Sequence, residues 1–344
     1  MITPLRHGVD TLEATFSHDQ FPDDLREMLE RKKLEAKLDN APSHIFLNNR
    51  HFYLGTKGRG LWQYVARNDE MEIRFSTAAN VPPMAIKLFA HGLATEGVRK
   101  LWKQVRGIAE LYGFMPLNLT RIDIALDFQG WTPTFEEMLN VVCSASFRPI
   151  YPSTTRPETF QFGRGDVVVR LYNKTKEIVY SGKEWWKFVW RACGGFCEDG
   201  DVWRIEVQLR SKAIKEFGLY SVEDAIESTR EFFGYGLDWC SLRAETDDSN
   251  LRRRPLHPAW EALKAAYAPA EPISRVRSAR QLMGYEQARK RFQSAVLGAA
   301  VAMDTTDYER VVRCLYDDTE SYIERELDTD FAELVLLKIR KDYE

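Results

Sequence analysis

The segment Val167-Val168-Val169-Arg170-Leu171-Tyr172-Asn173-Lys174 decides how the rest of the chain is interpreted. Its β-branched run and period-two alternation predict a β-strand with Arg170, Tyr172 and Lys174 on one face. A phenol has a pKa of about 10, so it needs nearby positive charge or a metal ion to act as a nucleophile. Cations beside it would also suit a phosphodiester substrate. The alternative is an amphipathic strand with a solvated polar face.

Two further segments, Leu119–Phe128 and Trp203–Arg210, alternate in the same way and are predicted to be strands of the same sheet. Their polar faces carry Arg121, Asp123 and Asp127 in the first strand, and Arg204, Glu206, Gln208 and Arg210 in the second. Carboxylates on neighbouring strands supply hard oxygen ligands for Mg²⁺ or Mn²⁺, which can polarise a scissile phosphate. A lattice of cross-strand arginine–carboxylate pairs is the alternative, and spacing alone leaves both open.

Three segments, in this order, resemble the replication initiation factor family (Rep_trans type) of rolling-circle plasmids and filamentous phages. They are LTRIDIALDF at 119–128, FQFGRGDVVVRLYNKTKE at 160–177 and WRIEVQLRSKAI at 203–214. The earlier IKLFAHGLA at 86–94 is similar to the strand-then-glycine segment of that family. The resemblance covers about residues 84–209. It implies an enzyme that nicks one DNA strand through a tyrosine and keeps the 5′ phosphate covalently attached.

The resemblance also implies roles for individual residues. The nucleophile falls on Tyr172, and the metal-binding acids on Asp123, Asp127 and Glu206. We further expect Arg170, Lys174 and Arg204 to steady the phosphate charge, and Arg121 and Arg210 to contact DNA. The six histidines never fall two apart, so a histidine-built metal site is not expected and the cofactor would be Mg²⁺ or Mn²⁺ on carboxylates. The chain departs from the family pattern at Gly163-Arg164-Gly165, which lacks the usual serine, and at Asn173, where an aspartate is common.

The implied function is initiation of rolling-circle replication by site-specific nicking and joining. The chain has no Gly-Lys-Ser/Thr phosphate loop, so a host helicase would unwind the DNA. The other expected partners are origin DNA, as a duplex with a hairpin or as a single-stranded nick site, and a second copy of the chain in a homodimer. Two alternatives stay open: a non-catalytic DNA-binding regulator on the same scaffold, and a metal-dependent nuclease that uses water. A tyrosine recombinase, with its arginine/histidine cluster and no metal, fits less well.

Composition points to a soluble globular protein in a cytoplasm, and the resemblance implies that it is the cytoplasm of a bacterial host. Hydrophobic residues make up 44% of the 344 positions and charged residues 29%, which is enough for a sizeable core. No apolar run is long enough to span a bilayer, and Met1–Arg6 is not a secretory signal. The five scattered cysteines indicate reduced thiols. Cys193 and Cys197 lack the second pair that a structural zinc site requires.

The order of elements predicts an α+β fold, with helices on one face of an antiparallel sheet and a possible duplication of a strand–helix–strand unit. Helices are predicted over 134–145 and 175–188, and again over 331–341 near the end of the chain. The catalytic domain is expected at 1–245 and a helical C-terminal module at 250–344. Residues 251–292 contain ten Lys/Arg and three Asp/Glu, whereas residues 301–344 contain six and thirteen. The basic stretch, with Arg289, Lys290 and Arg291, predicts DNA binding by the module, and dimerisation is its alternative role.

Overall fold

The computed structural model describes residues 2–143, 145, 150–151, 159–219, 221–269 and 285–326. The chain divides into two compact units, residues 1–275 and residues 276–344. The first unit is α+β, and the described part of the second consists of helices, so the predicted fold class is confirmed. The helix predicted at 331–341 lies outside the described residues.

Thirteen strands fall within the described residues. They are β1 (Thr3–Ser17), β2 (Ser43–Leu47), β3 (Arg50–Leu54), β4 (Tyr64–Arg67), β5 (Met71–Phe75), β6 (Met84–Leu88), β7 (Met115–Gln129), β8 (Val141–Cys143), β9 (Ile150–Tyr151), β10 (Thr159–Phe162), β11 (Val167–Asn173), β12 (Trp203–Arg210) and β13 (Cys240–Leu242). The helices of the same residues are α1 (Asp23–Leu38), α2 (Ala90–Thr95), α3 (Val98–Leu111), α4 (Phe135–Met138), α5 (Lys174–Ser181), α6 (Trp186–Arg191), α7 (Ser211–Lys215), α8 (Val222–Glu227), α9 (Thr229–Trp239), α10 (Pro258–Tyr267), α11 (Tyr285–Ala302) and α12 (Tyr308–Glu326).

Eleven of the strands form one antiparallel sheet. Their order is β2-β3-β4-β5-β6-β1-β7-β12-β11-β10-β9, while β8 and β13 pair separately. The two longest strands, β1 and β7, lie side by side at the centre, so the N-terminal strands extend to one side of them and the C-terminal strands to the other. The three strands identified from sequence, β7, β12 and β11, are immediate neighbours.

One face of the sheet carries the main core. The alternate residues Ile122, Ile124 and Leu126 of β7 are buried there together with side chains of α3 and α9. The apolar residues of α3 recur at helical spacing and form a single buried stripe, as its sequence predicts. Helices α5 and α6 form a smaller cluster, in which Trp186 and Trp190 are buried, and these two side chains contact polar side chains of β7 and β12.

Three boundaries differ from the sequence prediction for local reasons. The predicted 134–145 helix ends at Met138, because the following β-branched residues form β8 and pair with β13. The predicted 175–188 helix is interrupted at Gly182, whose φ of +68° suits a glycine C-cap, and continues as α6. Helix α10 was assigned to the module that begins at 250, yet its Trp260 is buried in the core of the first unit.

Candidate active site

The polar faces of β7, β12 and β11 form one continuous surface. In the strand register, Arg204 of β12 lies between Asp127 of β7 and Tyr172 of β11, and Glu206 lies opposite Arg170. Residues directly opposite each other on adjacent strands share a face and lie within contact distance. The structure therefore brings the predicted nucleophile, acids and arginines together.

The Tyr172 hydroxyl donates a hydrogen bond to Glu206 Oε2 at 3.3 Å. Arg170 donates to the other oxygen, Glu206 Oε1, at 2.9 Å, and to the side-chain oxygens of Gln161 and Gln208. Burial, and then the negative charge of Glu206, raise the pKa of Tyr172 well above its ordinary value. The phenol is thus neutral at physiological pH, and its nearest proton acceptor is the Glu206 carboxylate.

Lys174 is the first residue of α5 and is buried, although the sequence pattern predicted it on the open face of the Tyr172 strand. Its Nζ pairs with Glu177 at 2.5 Å and lies 5.6 Å from the centroid of the Tyr172 ring. Burial lowers the pKa of Lys174 from its ordinary value. The cation therefore contacts the ring of the tyrosine rather than open solvent.

Asp127 and Arg204 form a fully buried ion pair below the tyrosine. Arg204 Nε and Nη2 donate to the two oxygens of Asp127 at 2.5 and 2.8 Å, and Trp190 Nε1 donates to Oδ2 at 2.9 Å. The guanidinium also lies 4.3 Å from the Trp186 ring centroid. Both oxygens of Asp127 are thus occupied by protein donors that fix the position of Arg204. The role of Asp127 as a metal ligand stays a prediction.

Asp10 belongs to this cluster and was missed by the sequence analysis. It pairs with Arg204 and lies at a register shift of β1, between Val9 and Thr11. Burial acts to raise its pKa, but the cations Arg204 and Lys174 outweigh it and hold the pKa of Asp10 below the ordinary value. The sequence contains a signal for this irregularity. The buried apolar residues of β1 are Val9 and then Leu12, Ala14 and Phe16, so the alternation changes from odd to even positions, which indicates a β-bulge.

Asp123 is buried and accepts hydrogen bonds from Arg121, with Nε at 2.8 Å from Oδ1. Burial raises the pKa of Asp123 to about 7. The charges of Glu206 and Asp10 also raise this pKa, whereas the hydrogen bonds and charge of Arg121 lower it. These three acids therefore share negative charge that a cation would relieve, and carboxylate oxygens suit Mg²⁺ or Mn²⁺. Within the residues that the structure describes, no three His, Cys, Asp or Glu side chains are already arranged to hold a metal ion.

The other predicted DNA contacts are spread over both units. Arg121 pairs with Asp123, and the exposed Arg210 lies opposite Arg121 in the register of β12 and β7. Arg289 is exposed on α11. The side chains of Lys290 and Arg291 lie outside the described residues. DNA contact by each of these residues stays a prediction.

Comparison with known proteins gives a weak similarity to solved structures. No protein-family model matches the sequence. No curated protein matches it either. Among solved structures, the chain is similar to a rolling circle replication initiator protein from Geobacillus stearothermophilus, with 18% identity, a TM-score of 0.47, and coverage of 80% of this chain and 100% of that chain. A similarity at this level does not define a shared function. No helix in the described residues has the length and apolar character needed to cross a membrane.

Proposed function

We propose that the chain is a rolling-circle replication initiator that nicks and rejoins one DNA strand through a 5′-phosphotyrosine. The observation that carries this proposal is the hydrogen bond from the Tyr172 hydroxyl to Glu206, in a site that also contains Asp123 and Arg170. The resemblance of the three strand segments to the replication initiation factor family supports it independently. Origin DNA, a host helicase and a second copy of the chain are the proposed partners.

In the proposed reaction, the Tyr172 oxygen attacks a backbone phosphate and its proton passes to Glu206, the acceptor 3.3 Å away. The bond from phosphorus to the 3′ oxygen breaks, and the 3′ hydroxyl leaves with a proton. Arg170, Lys174 and Arg204 supply positive charge around the phosphate. Because the phosphotyrosine retains the energy of the broken phosphodiester, attack by a 3′ hydroxyl reverses the step and joins the strand without ATP.

Asp123 and Glu206 are the proposed ligands of a Mg²⁺ or Mn²⁺ ion, with Asp10 beside them. When bound, the ion would polarise the phosphate and offset the charge that develops on it. The donor set fits such an ion because burial and mutual repulsion of these acids raise the pKa of Asp123 to about 7. Asp127 is the third proposed ligand; its oxygens accept hydrogen bonds from Arg204 and Trp190, as those of Asp123 accept from Arg121.

The proposal predicts that Mn²⁺ raises the melting temperature of the protein at pH 8, where Asp123 is ionised. Because the pKa of Asp123 is higher in the folded chain than in the unfolded chain, folding takes up a proton there between about pH 4 and pH 7. Above that range the ionised carboxylate lowers the free energy of unfolding, and a bound cation raises it again. Asp123→Asn should remove most of the Mn²⁺ effect and abolish nicking, while duplex binding is retained. Scanning calorimetry measures the melting temperatures with and without Mn²⁺, and Asp19→Asn, which changes an exposed acid, is the control. An unchanged Mn²⁺ shift in Asp123→Asn would exclude Asp123 as a ligand.

A labelled oligonucleotide separates the proposed function from its alternatives. The protein is incubated with single strands that tile the gene and its flanks, each labelled at the 3′ end, and the products are run on a denaturing protein gel. A 5′-phosphotyrosine carries the label into the protein band. A water-using nuclease releases a short labelled strand with a free 5′ phosphate, and a non-catalytic regulator leaves the strand intact. Either of the last two results rejects the proposal.

For the second unit we propose origin-duplex binding, because its first part, residues 276–292, carries five of the ten Lys/Arg of the basic stretch 251–292 against one acid. A chain that ends at Arg275 keeps α10, whose Trp260 belongs to the core of the first unit. We expect this truncated protein to cleave single strands at the wild-type rate but to bind the origin duplex at least tenfold more weakly, measured by fluorescence anisotropy. Full duplex affinity, combined with a change from dimer to monomer in light scattering, would assign the unit to dimerisation instead.

A further inference from the structure

Four aromatic rings cluster at the opposite end of the sheet from β11. The β2–β3 hairpin directs its alternate residues away from the core, and the register pairs them as His44 with Tyr53 and Phe46 with His51. The rings of His44 and His51 stack with centroids 4.9 Å apart, and the Tyr53 ring lies edge-on to His51 at 4.7 Å. We call these four side chains the hairpin platform.

The hairpin platform presents aromatic surface to solvent. Phe46 is 66% exposed and Tyr53 is 48% exposed, whereas their strand neighbours Leu47, Phe52 and Leu54 are fully buried. Cross-strand aromatic pairs stabilise a hairpin, but that role does not need the rings to be open on their outer side. Exposed aromatic faces are surfaces on which unpaired nucleobases stack.

A cleft of about 780 Å³ is lined both by Tyr53 of the hairpin platform and by Asp10 of the candidate active site. One row of paired residues crosses the sheet from strand to strand, namely Tyr53, Arg67, Glu72, Lys87, Glu13 and Arg121, and its first four members line the cleft. Five spacings of about 4.8 Å separate the first and last strands of this row, so it spans roughly 24 Å.

The lining of the cleft carries four cations, Arg59, Arg67, Lys87 and Lys183, and three acids, Asp10, Asp69 and Glu72. Lys87 and Lys183 also pair with Glu13 and Glu177, at 3.1 and 3.7 Å. Two of its acids are paired with arginines: Glu72 lies 3.3 Å from Arg59, and Asp10 pairs with Arg204. Arg67 lies 4.7 Å from the Phe89 ring centroid, and within the described part of the chain it forms no ion pair. Cations along a groove with stacking rings at its end are the features by which proteins bind single-stranded nucleic acid.

We infer that the single-stranded DNA next to the scissile phosphate lies in this cleft and that its unpaired bases stack on Phe46 and Tyr53. The inference rests on the proposed function, since it assumes that the strand is cut at Tyr172. A duplex does not use the hairpin platform, because its bases already stack on one another and hide their faces. The platform therefore gives the site a preference for DNA that is unpaired on one side of the cut.

Binding to oligonucleotides of two lengths tests the inference. The short one covers only the nick site, and the long ones extend it on the 5′ side or on the 3′ side. Phe46→Thr with Tyr53→Thr removes both rings and keeps β-branched residues in the strands. We expect the double variant to bind one of the long single strands roughly tenfold or more weakly, as for the loss of one or two stacked bases. Its affinity for the short strand and for a duplex should equal that of the wild type.

Three variants sharpen the result. Phe46→Trp and Tyr53→Phe keep a ring at each position and should retain the wild-type affinity for the long strand. Arg67→Ala should lower the salt dependence of long-strand binding by about one ion. Phe135→Ala removes an exposed aromatic ring from α4, whose Met138 packs into the main core, and should change nothing.

Equal affinity of the double variant and the wild type for both long strands would overturn the inference. A loss that is the same for short and long strands would also overturn it, as would a change of oligomeric state, which would assign the rings to a protein interface. Failure of the proposed function is a separate result. In that case the 3′-labelled strand does not become attached to the wild-type protein, whatever the binding measurements give.

Discussion

Tyr172→Phe is expected to abolish the covalent attachment of DNA completely. The substitution removes one oxygen, the atom that would form the bond to phosphorus, and the hydrogen bond to Glu206 Oε2 with it. The ring remains, so its contact with the Lys174 ammonium is retained. Binding of single-stranded DNA should therefore stay within a few-fold of the wild type. The 3′-labelled oligonucleotide and a denaturing gel give the readout.

Tyr180→Phe is the matched control, because it makes the same chemical change eight residues later. Tyr180 is 74% exposed on α5. Tyr172 lies on β11, and within α5 six residues, or about 9 Å of helical rise, separate the helix start at Lys174 from Tyr180. We expect full adduct formation in this variant. An adduct that persists in Tyr172→Phe and disappears in Tyr180→Phe would move the nucleophile and reject the site.

The strand faces could be predicted from sequence because period-two alternation is a local property. Alternation alone predicts Asp123 and Glu206 on one surface, and the register of β12 with β7 confirms that arrangement. The same method missed Asp10, because a bulge changes which residues share a face. It also missed the His44–His51 pair, in which Nδ1 and Nε2 are 2.8 Å apart, since the two residues meet only across strands.

Burial was the second property that sequence could not provide. Strand alternation predicts Lys174 as an exposed cation. However, β11 ends at Asn173, and Lys174 is the buried first residue of α5. For Asp127, the resemblance implies a metal ligand, and the structure adds contacts that the sequence could not show: Trp190 and Arg204, from distant parts of the chain, bind its two oxygens. Roles that depend on contacts far apart in sequence need the tertiary structure.

Removing the Arg204 side chain is expected to be the most destabilising single change in the site. Arg204 is 1% exposed and binds two acids, the fully buried Asp127 and the part-buried Asp10. Arg204→Met leaves both carboxylates without their cation, and breaking a buried pair in this way costs about 3–5 kcal/mol. An exposed pair such as Arg253 with Asp248 contributes little because solvent screens it, so Arg253→Met is the control. Urea unfolding measures both.

The pH dependence of this loss distinguishes charge from packing. Arg204 holds the pKa of Asp10 below its ordinary value, so their interaction stabilises the fold above the unfolded pKa of about 4 and is lost as the pH falls through the folded value. The destabilisation caused by Arg204→Met should therefore be larger at pH 8 than near pH 3. Adding Asp127→Asn to Arg204→Met should recover part of the stability, because one uncompensated charge is removed. If the loss is the same at both pH values and the second substitution adds to it, Arg204 acts through its packing on Trp186 and not as the counter-ion of the two acids.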